Sequence, residues 1–242
     1  MLFTIHRTVS PHDLDFNNIA SASAVLRFMQ ECAYAQLTAV PPTMDELRKE
    51  NKVFVLSRLS YSIYSELRAC EEIEIRTWPC ESGGVSFPRC SQILRNGSIV
   101  AELVSVWALI NPQSHSLWRA SDYHPSFEYG QMLELDLPAR IRIPAGTGLS
   151  LVGEHTVEYS DVDVNRHLNN TKYPDMLCGF LPDMTGKRVV KLAISYLTEA
   201  RLGERLKIYV SEEEDGMFWV RSVRGDGAVN CEAQIVTEEL RY

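Results

Sequence analysis

The sequence lacks a long apolar run. Charged and polar side chains occur throughout the segment from Met1 to Asn18, so this segment has no apolar core of the kind found in a secretory signal peptide. It is also too polar to span a membrane, which takes about 20 consecutive apolar residues. We therefore expect a cytoplasmic protein with no membrane span.

Closely spaced cysteines are missing as well. The chain has six cysteines, and they are scattered, without Cys-x-x-Cys pairs or the His-rich spacing of metal ligands. This pattern argues against a disulfide framework and a structural zinc site, and it favours buried free thiols. Cys178 in particular stands among apolar neighbours, which indicates an inert thiol rather than a nucleophile.

A surplus of basic residues is also absent. The formal net charge is −8, whereas nonspecific binding to nucleic-acid phosphates needs a dominant basic face, so we expect no nucleic-acid partner. The chain has no Gly-x-Ser-x-Gly nucleophile elbow, which argues against a serine hydrolase of that type. Glu81-Ser82-Gly83-Gly84 lacks the Lys-Ser/Thr of a phosphate-binding loop.

The patterns that are present are typical of an α+β fold. Residues 20–40 are predicted to form a long helix because apolar residues such as Val25 and Phe28 recur at helical spacing. Thr43-x-x-Glu46 is a capping box that begins a short second helix. Strands are predicted over residues 3–9, 53–66, 71–78, 85–95 and 98–110, with Asn96-Gly97 as a hairpin turn.

The same order of elements begins again after residues 129–150, a segment with prolines such as Pro138 that we interpret as a connection. A strand over residues 156–159 leads into a polar loop, and residues 173–180 show the spacing of a helix with one buried face. Further strands are predicted over residues 189–199, 206–212, 217–223 and 228–240. The predicted units are residues 1–128, 129–150 and 151–242.

Residue matches indicate that this order is an internal repeat. The segment from Asp13 to Ile19 matches the segment from Asp161 to His167 at a constant offset (161 − 13 = 148). A second match, Ser62 to Glu66 with Ser195 to Glu199, has a shorter offset (199 − 66 = 133). Two such copies side by side would form one continuous antiparallel sheet with both long helices on one face.

The polar loop of the second copy is the candidate site. Asp163, Asn165 and His167 recur at every second position, so an extended backbone would direct all three to one side. Asn169 or Asn170 is predicted to cap the next helix, whose free N–H groups and dipole would stabilise an oxyanion. The alternative is that these polar residues only form a turn that caps the next helix. The first copy has Ile19 at the position that corresponds to His167. This difference between the copies favours catalysis in the second copy and a substrate-shaping role for the first.

Metal binding is a weaker interpretation of the same loop. Asp161-x-Asp163-x-Asn165 begins like a calcium loop, but Arg166 and Lys172 replace the Gly and Glu that such a loop needs. A site formed with Glu199 would lack the tight ligand spacing typical of metal centres. We expect no metal and no organic cofactor.

The stretch from Ser160 to Tyr173, Ser-Asp-Val-Asp-Val-Asn-Arg-His-Leu-Asn-Asn-Thr-Lys-Tyr, closely resembles the signature of the acyl-acyl carrier protein (acyl-ACP) thioesterases of the plant and bacterial type. The resemblance extends to Trp78-Pro79 and Trp107 and covers essentially the whole chain. It implies two tandem hotdog folds, each a long helix wrapped by an antiparallel sheet. It also implies hydrolysis of the thioester that joins a fatty acyl chain to the phosphopantetheine arm of the carrier protein.

The resemblance assigns catalytic roles residue by residue. The family's Asp-x-Asn-x-His falls on Asp163, Asn165 and His167, and its downstream acid falls on Glu199. Ala200 stands where plant members commonly have Cys, which favours direct attack by water. We expect Glu199 and His167 to activate that water, with Asn165 and Asp163 positioning it or the loop.

Three further sets of residues complete the expected site. Backbone N–H groups near Asn169 and Asn170 would stabilise the oxyanion. The acyl pocket is expected in the first copy, at Ile19, Val25, Phe28, Met29 and Cys32, with ordinary core packing as the alternative. The acidic carrier protein, the expected partner, would dock on Lys172, Lys187, Arg188, Lys191, Arg201 and Arg205, unless these form a generic solvated face. The sequence leaves open whether the protein forms a homodimer.

Other functions compete with this interpretation. An acyl-CoA thioesterase would use the same chemistry on a different carrier. A non-catalytic acyl-binding hotdog protein would not need Asp163, Asn165, His167 and Glu199 together. A hotdog dehydratase is disfavoured because its usual His-x-x-x-Gly-Phe/Pro-type loop is absent.

Overall fold

The computed structural model describes residues 2–125, 127–137 and 140–240. Its helices are α1 (Ala22–Ala39), α2 (Met44–Lys49) and α3 (Tyr173–Cys178). Its strands, in chain order, are β1 (Phe3–Thr8), β2 (Val53–Ile63), β3 (Glu72–Pro79), β4 (Phe87–Arg95), β5 (Ser98–Ile110), β6 (Leu149–Thr156), β7 (Lys187–Tyr196), β8 (Arg205–Ser211), β9 (Met217–Arg224) and β10 (Val229–Glu239).

All of these strands belong to one antiparallel sheet with the order β1-β3-β4-β5-β2-β7-β10-β9-β8-β6. When each half is followed from its outer edge to the centre, the order is β1-β3-β4-β5-β2 in the first half and β6-β8-β9-β10-β7 in the second. Both halves therefore have the same strand order. The halves meet where β2 pairs with β7, with Arg58 opposite Ser195 and Tyr61 opposite Leu192. The predicted continuous sheet is therefore confirmed.

The long helix of the first half is confirmed. Ser21 caps α1 by accepting a hydrogen bond from the backbone N–H of Ala24, and the helix packs chiefly against β3 and β1. The capping box of α2 is also present, because Thr43 and Glu46 accept each other's backbone N–H groups. Local sequence signals thus set where both helices begin.

The second half differs from the prediction in two elements. Its helix α3 has only six residues, because the chain turns at Gly179 and Leu181 precedes Pro182, which disfavours a helical conformation at Leu181. The prediction of a long helix there is wrong. The strand predicted over residues 156–159 is also wrong, since β6 spans Leu149–Thr156. Its alternate residues are exposed at the sheet edge, so it has too few apolar positions to be recognised.

The connection between the halves packs on the sheet. Trp78 donates from Nε1 to the carbonyl of Gln131 at 2.8 Å, and Ser195 donates to the carbonyl of Ile141 at 3.4 Å. Gly130 permits this contact, because a Cβ there would lie 2.2 Å from Cδ1 of Trp78. Pro138 lies outside the described residues. The boundaries 1–128, 129–150 and 151–242 stay a prediction.

Three apolar clusters are formed by the described residues, and the smallest surrounds Trp78, Cys80 and Cys90. The largest cluster combines α1 with buried residues of both halves of the sheet. The second cluster lies beneath α2 and is built around Leu47, Phe87, Leu109 and Tyr123. Edge-to-face contacts at about 5.5 Å join Phe54 to both Phe87 and Tyr123. None of the described helices is long and apolar enough to cross a membrane.

Candidate active site

The polar loop of the second half is a tight turn. The backbone N–H of Asp163 donates to the carbonyl of His167 at 2.9 Å, and Arg166, with φ of 63°, donates to the carbonyl of Asp163 at 3.0 Å. The expectation of an extended backbone is therefore wrong. A left-handed residue closes the turn, and the period-two argument does not apply to it.

The carboxylate of Asp163 organises this turn. Its Oδ1 accepts from the backbone N–H groups of Asn165 at 2.8 Å and His167 at 3.3 Å, and its Oδ2 accepts from the Asn165 amide at 3.3 Å. An Asp at this position thus satisfies donors that the turn leaves without backbone partners.

His167 and Glu199 lie next to each other. The distance from His167 Nε2 to Glu199 Oε2 is 3.3 Å. Backbone pairing produces this approach, because the N–H of Leu168 donates to the carbonyl of Ala200 at 2.8 Å. Glu199 does not end a strand as predicted, since β7 ends at Tyr196. It lies in the loop that follows.

Two residues that the sequence did not single out hold the Glu199 loop. Asn230 donates from Nδ2 to the carbonyl of Thr198 at 2.6 Å and accepts from the N–H of Leu197 at 2.9 Å. Arg224 donates from Nη1 to the carbonyl of Glu199 at 3.0 Å. Both belong to distant strands and form no local motif, so only the fold reveals them.

The first half repeats the backbone of this site. The backbone N–H of Asp15 donates to the carbonyl of Ile19 at 2.8 Å. The side-chain Oδ1 of Asp15 accepts from the backbone N–H groups of Asn17 at 2.8 Å and Ile19 at 3.4 Å. The N–H of Ala20 donates to the carbonyl of Leu67 at 2.8 Å, as Leu168 does to Ala200. The two loops therefore share one design and differ in their side chains.

The side chain of Asn17 is fully occupied. It donates to the carbonyls of Met184 at 2.7 Å and Lys187 at 2.9 Å, and it accepts from the N–H of Gly186 at 2.9 Å. Asn165, its counterpart, is exposed and bonds only to Asp163 among the described residues. The second copy thus keeps an amide that can contact a ligand.

An apolar cavity of about 470 Å³ reaches this amide. The first half supplies most of its wall, between α1, α2 and the ends of β2, β4 and β5. The second half contributes Asn165, Asn169 and Thr171. Apolar wall residues include Ala33, Leu37, Leu47, Phe54, Phe87 and Trp107.

The predicted acyl-pocket residues lie mostly elsewhere. Phe28, Met29 and Cys32 are fully buried in the main core, and the described cavities do not include them. Ile19 and Val25 are buried too, and they border a different cavity beside the first-half loop. The helix uses its most apolar stripe against the sheet, so its flank, with Ala33 and Leu37, is left to line the cavity.

The predicted helix-end oxyanion site is not formed as expected. Lys172, rather than Asn169 or Asn170, occupies the cap position of α3, without a side-chain cap. The N–H of Asn169 already donates to the carbonyl of Asp161 at 2.9 Å. At the helix start, Pro174 has no N–H and that of Asp175 donates to Ser23 at 2.9 Å. The N–H of Asn170 makes no hydrogen bond within the described part of the chain.

The predicted docking residues fall into two groups. Lys187, Arg188 and Lys191 pair with Glu213, Glu238 and Asp136, respectively. Lys172, Arg201 and Arg205 form no ion pair with a described residue, and Arg201 forms a backbone bridge with His167. Only the second group thus presents uncompensated charge.

Two other features bear on the chemistry. Burial raises the pKa of the Cys178 thiol well above its usual range, as expected for an inert group. Over residues 2–125, 127–137 and 140–240, His, Cys, Asp and Glu side chains do not gather in groups of three that could hold a metal ion.

Comparison with known proteins relates most of the chain to one family. Residues 2–123 match the family model for the acyl-ACP thioesterase N-terminal domain, and residues 147–239 match the model for the C-terminal domain. An acyl-[acyl-carrier-protein] hydrolase of Cuphea viscosissima is 23% identical over 210 residues, covering 80% of this chain and 51% of the relative. Oleoyl-acyl carrier protein thioesterase 1 of Arabidopsis thaliana is 26% identical over 68% of this chain and 51% of its own length. The chain spans about half the length of these curated relatives.

Solved structures share the fold. An acyl-ACP thioesterase from Bacteroides thetaiotaomicron matches with a TM-score of 0.85 and 22% identity, covering 98% of both chains. The 12:0-ACP thioesterase from Umbellularia californica matches with a TM-score of 0.79 and 16% identity over 98% of this chain and 97% of that one. The predicted tandem hotdog architecture is confirmed.

Proposed function

The chain belongs to the acyl-ACP thioesterase family, and from this membership we propose that it hydrolyses the thioester of fatty acyl-ACP. The products would be the free fatty acid and the carrier protein, so the reaction ends chain elongation. The observation that carries the proposal is the contact of 3.3 Å between His167 and Glu199. It lies beside a loop whose Asn165 lines an apolar cavity.

In the proposed mechanism a water molecule binds beside the His167–Glu199 pair, where both side chains can contact it. The pair removes one proton from it as its oxygen forms a bond to the thioester carbonyl carbon. The tetrahedral intermediate then expels the phosphopantetheine sulfur as the C–S bond breaks, and the proton passes to that sulfur. Water is the nucleophile because Ala200 offers no thiol and Cys178 is buried.

The developing oxyanion needs hydrogen-bond donors. The amide of Asn165 and the backbone N–H of Asn170 are the groups proposed for this role, replacing Asn169 and the end of α3. Removing one such donor from an acyl-transfer site typically costs about 10²–10³ in rate. Asp163 acts indirectly, because its carboxylate holds the turn that aims Asn165.

The acyl chain and the carrier protein are proposed to bind on two sides of this loop. The chain would occupy the cavity of the first half. Lys172, Arg201 and Arg205 are the proposed contacts for the acidic carrier, because their charge is not neutralised by described acidic residues. Lys187, Arg188 and Lys191 are omitted, since surface acids already pair with them.

A chain-length series tests the proposal. Thiol release would be measured with acyl-ACP substrates of increasing length and with the matching acyl-CoA substrates, for the wild-type protein and the His167→Ala variant. Hydrolysis that depends on His167 and is faster with ACP supports the proposal. Faster turnover of acyl-CoA would indicate an acyl-CoA thioesterase. Acyl-chain binding without hydrolysis would indicate a non-catalytic acyl-binding protein.

A further inference from the structure

A buried arginine lines the cavity proposed for the acyl chain. Arg89 of β4 is only 8% exposed. Its Nη1 donates to Oε1 of Gln36 and to Oγ1 of Thr77, the latter at 3.1 Å. Both acceptors are neutral. Its Nε and Nη2 make no hydrogen bond with a described residue and are not fully enclosed, so part of the guanidinium is free to bind a ligand.

No described carboxylate neutralises this charge. The other cations that line the cavity have acidic partners: Arg27 pairs with Asp13, Arg48 with Asp45 and Lys52 with Glu50. Arg89 has no salt bridge within the described chain, and the groups whose charge acts on it are Tyr123, Cys32, Cys80 and Cys90, all of them neutral when protonated. The hydrogen bond with Cys90, and to a smaller extent the charge of Arg89, lowers the pKa of the Cys80 thiol. Burial raises the pKa of Tyr123 to about 12 and that of Cys32 to about 11, so both are neutral at pH 7.

An arginine stays protonated even when burial lowers its pKa. A buried charge without a counter-ion is strongly destabilising, so a wall of simple hydrocarbon would be the more stable lining for an acyl cavity. The guanidinium is therefore better explained by an anionic group of the ligand.

Arg89 lies near the C-terminal end of α1, whereas the N-terminal end of that helix contacts α3, which directly follows the candidate active-site loop. The first turn of α1 contacts α3, because Ser21 and Ser23 bond to Asp175. Gln36, the partner of Arg89, is in the last turn of α1, which is about 27 Å long at 1.5 Å per residue. A chain that enters beside Asn165 would meet Arg89 with its distal end.

We propose that the preferred substrate carries a carboxylate at the distal end of its acyl chain and that Arg89 binds it. This inference rests on the proposed thioesterase function and defines its substrate class as ω-carboxyacyl thioesters. A guanidinium binds a carboxylate through two parallel hydrogen bonds, and Nε and Nη2 are available for them. Gln30, which also lines the cavity, has a buried Nε2 without a hydrogen-bond partner in the described chain. It offers a further donor along the path.

The test compares acyl-ACP substrates of equal length that end in a methyl, a hydroxyl or a carboxylate group. For the wild-type protein we expect kcat/KM to be roughly tenfold to a hundredfold higher for the carboxylate ending than for the methyl ending, the range of a charged hydrogen bond. Arg89→Met should remove or reverse this preference. Arg76→Met should keep it, because Arg76 lies on the neighbouring strand β3 and does not line the cavity.

The outcomes separate this inference from the proposed function. Hydrolysis of methyl-ended chains at an equal or higher rate, or an equal gain from a hydroxyl ending, would overturn the role of Arg89 and leave the thioesterase proposal standing. If no thioester is hydrolysed, the proposed function fails. Thermal shifts of the wild-type protein then decide: free α,ω-dicarboxylic acids should raise Tm more than monocarboxylic acids of equal length, and equal shifts would overturn the inference. The wild-type comparison also stands if Arg89→Met does not fold.

Discussion

Asn18 and Arg166 adopt the same left-handed backbone conformation, with φ of 61° and 63°, in loops that are 148 residues apart (166 − 18 = 148). Each residue closes a turn in which the preceding Asp accepts the same two backbone N–H groups. The duplicated loops thus have one backbone design. Whatever separates an active half from an inactive half must be sought in the side chains that this backbone presents.

His167→Ala and Glu199→Gln should each lower kcat by about 10²–10⁴, because each removes a group proposed to move the proton of the attacking water. Glu199 is 58% exposed and His167 is 27% exposed in their side chains, so neither change should greatly lower Tm. Thioester hydrolysis and thermal unfolding would be measured on the same preparations. His6→Ala, at an exposed position of β1, is the matched control. Wild-type rates in both active-loop variants would exclude the proposed dyad.

Asn17→Ala should lower stability, whereas Asn165→Ala should lower activity. Asn17 bonds to three backbone groups of residues 184–187, so its loss should lower the free energy of unfolding by about 1–3 kcal/mol while folded molecules keep their kcat. Asn165 bonds only within its own turn among the described residues, so its loss should lower kcat and leave stability nearly unchanged. Urea unfolding and steady-state kinetics measure the two effects. Equal losses of activity would show that the amides are not specialised.

Much of the fold could be predicted because its signals are local. The spacing of apolar residues in α1, the capping box of α2 and the Asn96-Gly97 turn, where both residues have positive φ, each act within a few residues. The repeat added the global arrangement, since two equal units can share a sheet. The edge strand β6 was misplaced because an edge strand needs few buried residues.

The candidate site could be predicted only in part. The identities of Asp163, Asn165, His167 and Glu199 followed from a motif, and the structure brings His167 to Glu199. Other features of the site depend on packing between distant residues. These are the geometry of the turn, the hydrogen bond that occupies the N–H of Asn169, and the residues that line the cavity. The apolar stripe of α1 indicates the face that packs on the sheet, but no sequence pattern shows which neighbouring flank lines a cavity.

Arg224→Met should lower kcat by about tenfold to a hundredfold with little change in KM. Arg224 does not touch the proposed substrate, but it donates to the carbonyl of Glu199 at 3.0 Å, and a small displacement of a reacting group has a large effect on rate. Arg224→Lys should restore part of kcat, since it keeps one donor. Arg224 also pairs with Glu204 and Asp226, so Arg221→Met, which removes a cation paired with Glu232 on the same strand, is the control for the loss of an ion pair. A rise in KM alone would contradict a positioning role.

Asp15→Asn should raise the free energy of unfolding at pH 7. Burial raises the pKa of Asp15 above its ordinary value, an effect only partly offset by the backbone hydrogen bonds from Asn17 and Ile19. The folded protein therefore binds the proton more tightly than the unfolded chain. The resulting cost is absent below the unfolded pKa of about 3.8, grows as pH rises through the folded pKa, and is complete at neutral pH. Asparagine keeps the acceptor oxygen without the charge, so the variant should gain most at pH 7 and converge with the wild type in acid.

Asp183 has its pKa lowered by the backbone hydrogen bond from Thr185, so Asp183→Asn should lose stability at pH 7 instead. Urea unfolding at several pH values measures both differences, and a gain in Asp15→Asn that persists unchanged in acid would refute the explanation by burial of the charge.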